Sequence, residues 1–182
     1  MFVSNGILFN HESPLRGLEF VSRKVTNSVA RIKLGLQDRL ELGNLNSIRD
    51  WGFAGDYVEA MWKILQLDST NDFVIATGIG HTVKDLVDLA FYFADLNSED
   101  YVHSVDSLKR LVDVNALVGD ASKAHKLLNW TPKTSFKQLI KLMYEEDIRR
   151  WTDFLNGKAV VWDAPAYNSN IKIVNVRYSI KI

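Results

Sequence analysis

The chain has 182 residues, 47% of them hydrophobic, which is ample for one globular domain with a real core. Its 22 basic and 22 acidic residues cancel to a formal charge of +0, so the overall balance supplies no drive towards nucleic acid or an anionic membrane, and neither is expected as a partner. The absence of cysteine excludes disulfides and thiolate metal sites and fits a reducing cytoplasm, where we expect the protein to reside. Met1 to Asn10 lacks the basic start and apolar run of a signal peptide, and no stretch approaches the roughly 18 apolar residues of a membrane span.

Val3 to Phe9 is mostly apolar and reads as a strand buried on both faces. Asn10 to Arg16 then packs an amide, an imidazole, a carboxylate, a hydroxyl and a guanidinium into one polar loop. A helix over about Leu18 to Leu34 follows, with Val21, Val25, Val29 and Ile32 on one face and Gly35 at its end. Leu40 to Leu42 is a short strand closed by Gly43 and Asn44. Arg49 to Tyr57 leads into a helix whose Val58, Met61, Trp62 and Leu65 recur at helical spacing, with Asp56 near its positive end.

Phe73 to Ala76 is another strand, ended by Thr77 and Gly78. Thr82 is placed to cap the next helix, with Asp85 three residues on, and Val83, Leu86, Val87, Leu89 and Ala90 face a core. Leu96 to Leu111 patterns poorly and suggests loop with a short strand. Asp120 opens a short helix through Leu128, and Ser135 opens a longer one through about Phe154. From Ile171 to Ile182 apolar and polar residues alternate, with a slip between Ile173 and Val174 that suggests a bulged strand. Strands and helices alternating along most of the length predict an α/β fold. No glycine-rich dinucleotide fingerprint occurs; Gly78–Ile79–Gly80 lacks the third glycine and reads as a turn. A polar loop between a strand and a helix is nonetheless where open α/β sheets bind ligands, and a helix start suits phosphate.

Asn5–Gly6–Ile7–Leu8–Phe9–Asn10–His11–Glu12–Ser13–Pro14, with Arg16–Gly17, resembles the GDP-mannose 4,6-dehydratases of the extended short-chain dehydrogenase/reductase superfamily. The resemblance continues through Ile32 to Asp38, Leu42 to Leu45, Arg49 to Trp62, Val74 to Gly78, Val112 to Asp120 and Ser122 to Ala124. It is weaker at Glu146 to Arg150 and Trp162 to Pro165, and Leu111 stands where the family commonly has proline. The likeness is to the second half of such an enzyme. It implies an incomplete NAD(P)-binding Rossmann-type fold, its last strands joined to the C-terminal substrate-binding α/β region, with residues 1–182 as one unit. The family's cofactor glycines and catalytic Tyr-x-x-x-Lys pair would lie upstream of Met1; none of the six tyrosines here has lysine four residues later.

Carried over by motif, the resemblance implies that His11 and Arg16 contact NADP, and that Asn5 bonds the pyrophosphate of a GDP-sugar. It also implies that Lys24 reaches the nucleotide, that Gly43 lets backbone approach the guanine, and that Arg49 binds phosphate. Arg110 and Asp113 would grip phosphate and ribose or base. Each has a plainer alternative: Asn5 tying two backbone segments, Gly43 a simple turn, Asp50 pairing with Arg49. Arg23 reads as solvated, Trp51 as core, and His81, His103 and His125 as surface residues, with no metal site indicated.

The activity implied is NADP-dependent conversion of GDP-mannose to its 4-keto-6-deoxy product and water, this stretch contributing binding and expected to be inactive alone. The alternatives are a non-catalytic GDP-sugar-binding or assembly module, paired with itself or with a separate N-terminal half, and another nucleotide-sugar epimerase or dehydratase.

Overall fold

The computed structural model describes residues 2–108 and 114–158. Their order is β1 (Gly6–Leu8), β2 (Asn10–Glu12), α1 (Val21–Lys33), β3 (Leu40–Leu42), β4 (Ile48–Phe53), α2 (Ala54–Ile64), β5 (Phe73–Ile75), β6 (Gly80–Thr82), α3 (Val83–Phe93), β7 (Val102–Ser104), β8 (Ala116–Leu117), α4 (Ser122–Leu128) and α5 (Phe136–Leu155). The α/β expectation holds. The alternating stretch expected near the C-terminus falls outside the described residues.

The strands form three small sheets. β1 pairs parallel with β5, Ile7 opposite Val74, and β3 pairs parallel with β7. β4 organises the third. Its last half lies parallel to β2, Trp51 opposite Asn10, while Ile48 and Arg49 pair with both β6 (antiparallel) and β8 (parallel). β4 was not expected as a strand. Arg49, Asp50 and Gly52 interrupt any apolar alternation, yet Asp50, Trp51 and Gly52 are all buried. The sheet tolerates Asp50 because Thr77 N and Oγ1 donate to its Oδ1, while Gly78 N and Gly119 N donate to Oδ2. Gly52 is required for space: a Cβ there would meet the Tyr57 ring at 2.3 Å.

Two cores flank these sheets. The larger joins α1, α3, α5 and β3, with Val25, Val29, Leu40, Leu86, Leu139, Ile140 and Met143 fully buried. α1 is enclosed on more than one side, because Ser22, Thr26, Ser28 and Ala30 are buried as well as its valines. Its small residues let neighbouring helices approach. Capping follows the sequence: Thr82 and Asp85 close a reciprocal capping box on α3, and Ser135 with Gln138 does the same for α5. Gly35, at φ +69°, turns the chain out of α1.

The second core joins α2, α4 and β5 around Tyr57, Ala60, Ile64, Phe73, Ile75 and Trp130. The expected helix forms at α2, but its apolar stripe is not the buried face. The apolar set Val58, Met61, Trp62 and Leu65 is 58%, 41%, 62% and 63% exposed, and the opposite face is the buried one. Asp56 faces inward and accepts from Lys133 N and Thr134 N, while its carbonyl accepts from Trp130 Nε1. β1 is likewise not buried on both faces, since Ile7 is 58% exposed. The expected loop is shorter too, because Asn10 to Glu12 are held in β2.

Candidate functional site

A cavity of about 670 Å³ opens where β1 runs into β2 and the chain turns into α1. One wall is Leu8, Phe9, Asn10 and His11; a second is Arg16, Glu19, Phe20, Val21 and Lys24; the far side is Leu42, Gly43, Asn44, Ser47 and Arg49, closed by Val83, Leu108, Val114 and Leu117. Five of the eight residues singled out from sequence therefore meet here: His11, Arg16, Lys24, Gly43 and Arg49. Arg110 and Asp113 lie outside the described residues.

Asn5 is not brought to the cavity. It precedes β1 at the opposite end of the strand, where its backbone N and Nδ2 both donate to Asp72 Oδ1, at 3.0 and 2.8 Å, and its carbonyl accepts from Phe73 N. That is the backbone-tying alternative, at an exposed rather than a buried position. Asn10 is the amide that this segment brings to the cavity instead, with Asn44 on the far side. Its signal was available, since it follows the apolar run at the carboxyl end of β1, where such sheets hold their ligands.

His11 Nδ1 lies 2.9 Å from the Phe9 carbonyl, and its ring sits 5.7 Å from that of Tyr57. Tyr57 is no acid–base partner for it. Its hydroxyl is buried with no hydrogen-bond partner among the described residues, and burial, reinforced by Asp50, Asp56 and Glu12, pushes its pKa far up. Arg16 lays its guanidinium over the Phe20 ring, 3.5 Å from the centroid, with Nε 3.3 Å from Glu12 Oε2. Glu12 itself is buried and accepts from Ser22 Oγ. Burial raises its pKa, against the lowering effects of Ser22 and Arg16.

Across the cavity, Lys24 Nζ donates to the Glu41 carbonyl at 2.7 Å, and burial lowers its pKa, partly offset by the Glu41 carboxylate. Arg49 Nη1 donates to the carbonyls of Ile48 and Val114, both at 2.7 Å. Gly43 accepts from Ser104 Oγ through its carbonyl. The lining thus holds three cations, Arg16, Lys24 and Arg49, against one carboxylate, Glu19. α1 adds to this polarity. It starts at Val21, on the cavity wall, with no side-chain cap and no acidic residue of its own in the first turn, although the buried Glu12 carboxylate accepts from Ser22 there. Such a cavity suits an anion, and phosphate above all.

Two further expectations change. Arg23 is not solvated: it is 1% exposed and its Nε donates to both oxygens of Asp147, at 2.8 and 3.1 Å. No local signal could reveal that pair, whose members are 124 residues apart. His81 is half-buried and stacks on Phe136 at 3.9 Å, whereas His103 and His125 are exposed as expected. Trp51 is core, 1% exposed. Among the described residues, no cluster of three His, Asp or Glu could hold a metal ion, and no helix is long and apolar enough to cross a membrane.

In fold, the chain superposes on RMD from Pseudomonas aeruginosa complexed with NADPH with a TM-score of 0.73 at 22% identity, over 80% of this chain and 48% of that one. It superposes on a Thermotoga maritima UDP-glucose 4-epimerase with UDP-glucose with a TM-score of 0.65 at 26% identity, over 81% and 45%. The architecture is therefore that of the Rossmann-type sugar-nucleotide enzymes, in part. In sequence, it is 53% identical to GDP-mannose 4,6 dehydratase 2 of Arabidopsis thaliana over 81% of this chain and 40% of that protein. It is 44% identical to the Homo sapiens GDP-mannose 4,6 dehydratase over 81% and 44%. The chain thus spans less than half the length of these relatives. The family model for GDP-mannose 4,6 dehydratase matches residues 1–143, a stretch that contains every residue lining the cavity, and the chain accordingly belongs to the GDP-mannose 4,6-dehydratase family.

Proposed function

We propose that this chain supplies the GDP-sugar site and part of the NADP site for conversion of GDP-mannose to GDP-4-keto-6-deoxymannose and water. The observation that carries the reading is the convergence of His11, Arg16, Lys24, Gly43 and Arg49 on one cavity, beside the uncapped start of α1. The cations lie on two sides of the cavity, Arg16 on one and Lys24 with Arg49 on the other, which suits two phosphorylated ligands. Lys24, Gly43 and Arg49 form the sugar-nucleotide side, with Asn10 as an amide donor near the β1 end. Leu42, Val83, Leu108 and Leu117 give that side an apolar floor for a base. Arg110 and Asp113 join this side in the same reading; Asn5 supports it from outside by tying β1 to β5.

His11 and Arg16 form the cofactor side. The residues present fit a pyridine dinucleotide: Arg16 is an always-charged donor held at the cavity by Phe20 and Glu12, and His11 keeps Nε2 clear of its bond to Phe9. NADP, when bound, supplies the hydride chemistry. In this reading the chain's residues bind and orient, since none of its tyrosines has a lysine four residues later. A cytoplasmic setting suits such a function in a cysteine-free protein.

Calorimetry of the folded chain with GDP-mannose and with NADP tests the reading. We expect both to bind, and Arg49→Ala to weaken GDP-mannose by about 10- to 100-fold, the worth of a charge-assisted bidentate contact. Mixed with both ligands, the chain is expected to release no 4-keto product. Absence of GDP-mannose binding by folded protein sinks the assignment; product formation sinks the division of labour.

A further inference from the structure

The turn that carries Arg16 is held from behind by two helices. The carbonyl of Pro14 accepts from Arg23 Nη1 at 2.7 Å and from Arg150 Nη1 at 2.6 Å, and the carbonyl of Arg16 accepts from Arg23 Nη1 at 2.9 Å. Both lone pairs of the Pro14 oxygen are thus taken by guanidinium donors. Behind them, Asp147 of α5 is fully buried. It receives Arg23 Nε and, at 2.7 Å, Thr26 Oγ1, and it lies 3.6 Å from Arg150 Nη1. Arg150 is 4% exposed and also pairs with Glu146 at 3.0 Å.

A buried ion cluster of this kind is a poor source of net stability, since well-packed apolar residues of similar volume do as well or better. What apolar residues could not do is hold named carbonyl oxygens at fixed points. Pro14 has no N–H, and the amides of Leu15 and Arg16 are already spent inside the turn, on Ser13 Oγ and Ser13 O. The carbonyls are therefore the handles left by which the turn can be fixed to the body of the molecule. With the backbone pinned at Pro14 and Arg16, the Arg16 side chain is left to face the cavity.

We propose that Asp147 and Arg150 are positioning residues: acting with Arg23, they set the path of residues 14–16 and so aim Arg16 at a phosphate group of the dinucleotide. The proposal rests on the cofactor reading above. Arg150→Met is the milder test, because it leaves the Arg23–Asp147 pair intact and leaves Glu146 paired with Arg149. Asp147→Asn is the severer one. For folded Arg150→Met we expect NADP affinity to fall about 10-fold, the worth of one misplaced charged hydrogen bond, with GDP-mannose affinity held within about 2-fold and partial recovery in Arg150→Lys. Hydrogen exchange of the Leu15 and Arg16 amides is expected to quicken about 10-fold in the same variant as the turn opens locally. Unchanged NADP affinity, or a parallel loss of both ligands, overturns the proposal. If the parent chain binds no NADP, the cofactor reading fails by itself. The clamp then stands or falls on the exchange rates: quickened amides keep it, unchanged amides overturn it.

Discussion

Glu12 shows how a single residue can sit close to function without touching a ligand. It is 1% exposed, bonded to Ser22 and facing Arg16, and burial raises its pKa above the ordinary 4.5. For a carboxyl whose folded pKa is raised, the folded state binds the proton more tightly than the unfolded state does. Its contribution to stability is present below about 4.5 and is lost as pH rises through the folded value. Glu12→Gln, which stays neutral, is therefore expected to gain stability relative to the parent between about pH 4 and about pH 7, read as a widening difference in unfolding midpoint. A difference that narrows over that range would show that the ion pair with Arg16 outweighs burial. The candidate site was legible at this scale where the family resemblance named the residue, as for His11, Arg16 and Lys24, which come together at one cavity. It was illegible where the partner is remote. Asp50 reads as an ion-pair alternative for Arg49 until Thr77, Gly78 and Gly119 are seen to close on it, and Arg23 looks solvated until Asp147 is seen beneath it.

At the scale of elements, caps, glycines and apolar spacing all placed helices where they occur, but spacing did not tell which face of α2 is buried. α3 and α5 start at the Thr82 and Ser135 boxes because that chemistry is local, encoded within four residues. α2 has no such device. Its sequence offers two faces, a large apolar one (Val58, Met61, Trp62, Leu65) and a smaller one (Tyr57, Ala60, Ile64). The second is buried because α2 must lie close to β5 and Trp130, and Ala60, fully buried, permits that approach. The same logic explains why β4 escaped notice, since a strand with a buried aspartate and a glycine under a tyrosine ring is defined by its neighbours. The orientation of α2 can be checked by urea unfolding at low protein concentration. Ile64→Ala should cost about 2–4 kcal/mol as a buried truncation, and Trp62→Gln less than about 1 kcal/mol as a surface change. The reverse ranking would place the large apolar face inside.

For the whole molecule, the exposed side of β1 and the outer face of α2 leave an apolar surface that the described residues do not cover. Parallel strands ordinarily carry packing on both faces, and their edges are paired or blunted. β1 pairs with β5, whose Phe73, Val74 and Ile75 all pack on the second core, while Ile7, opposite Val74, is 58% exposed. Phe2 and Val3 just before β1 are 44% and 50% exposed, and the outer face of α2 adds Trp62 and Leu65. Scattered exposed apolar residues are ordinary, but a bare parallel strand is an adhesive one, because its backbone can accept another strand and its side chains another layer. The chain spans less than half the length of these relatives. On its own the chain is then expected to associate with itself. Light scattering should give a mass above the monomer's, rising with concentration, and Ile7→Lys, which places a charge on the open strand, should shift it towards monomer. Trp62→Gln should do so less, since a helix face offers no backbone to pair. A single monomeric species across the concentration range, in parent and variants alike, would mean that Ile7 and its neighbours are tolerated in water and that β1 is complete with one partner strand.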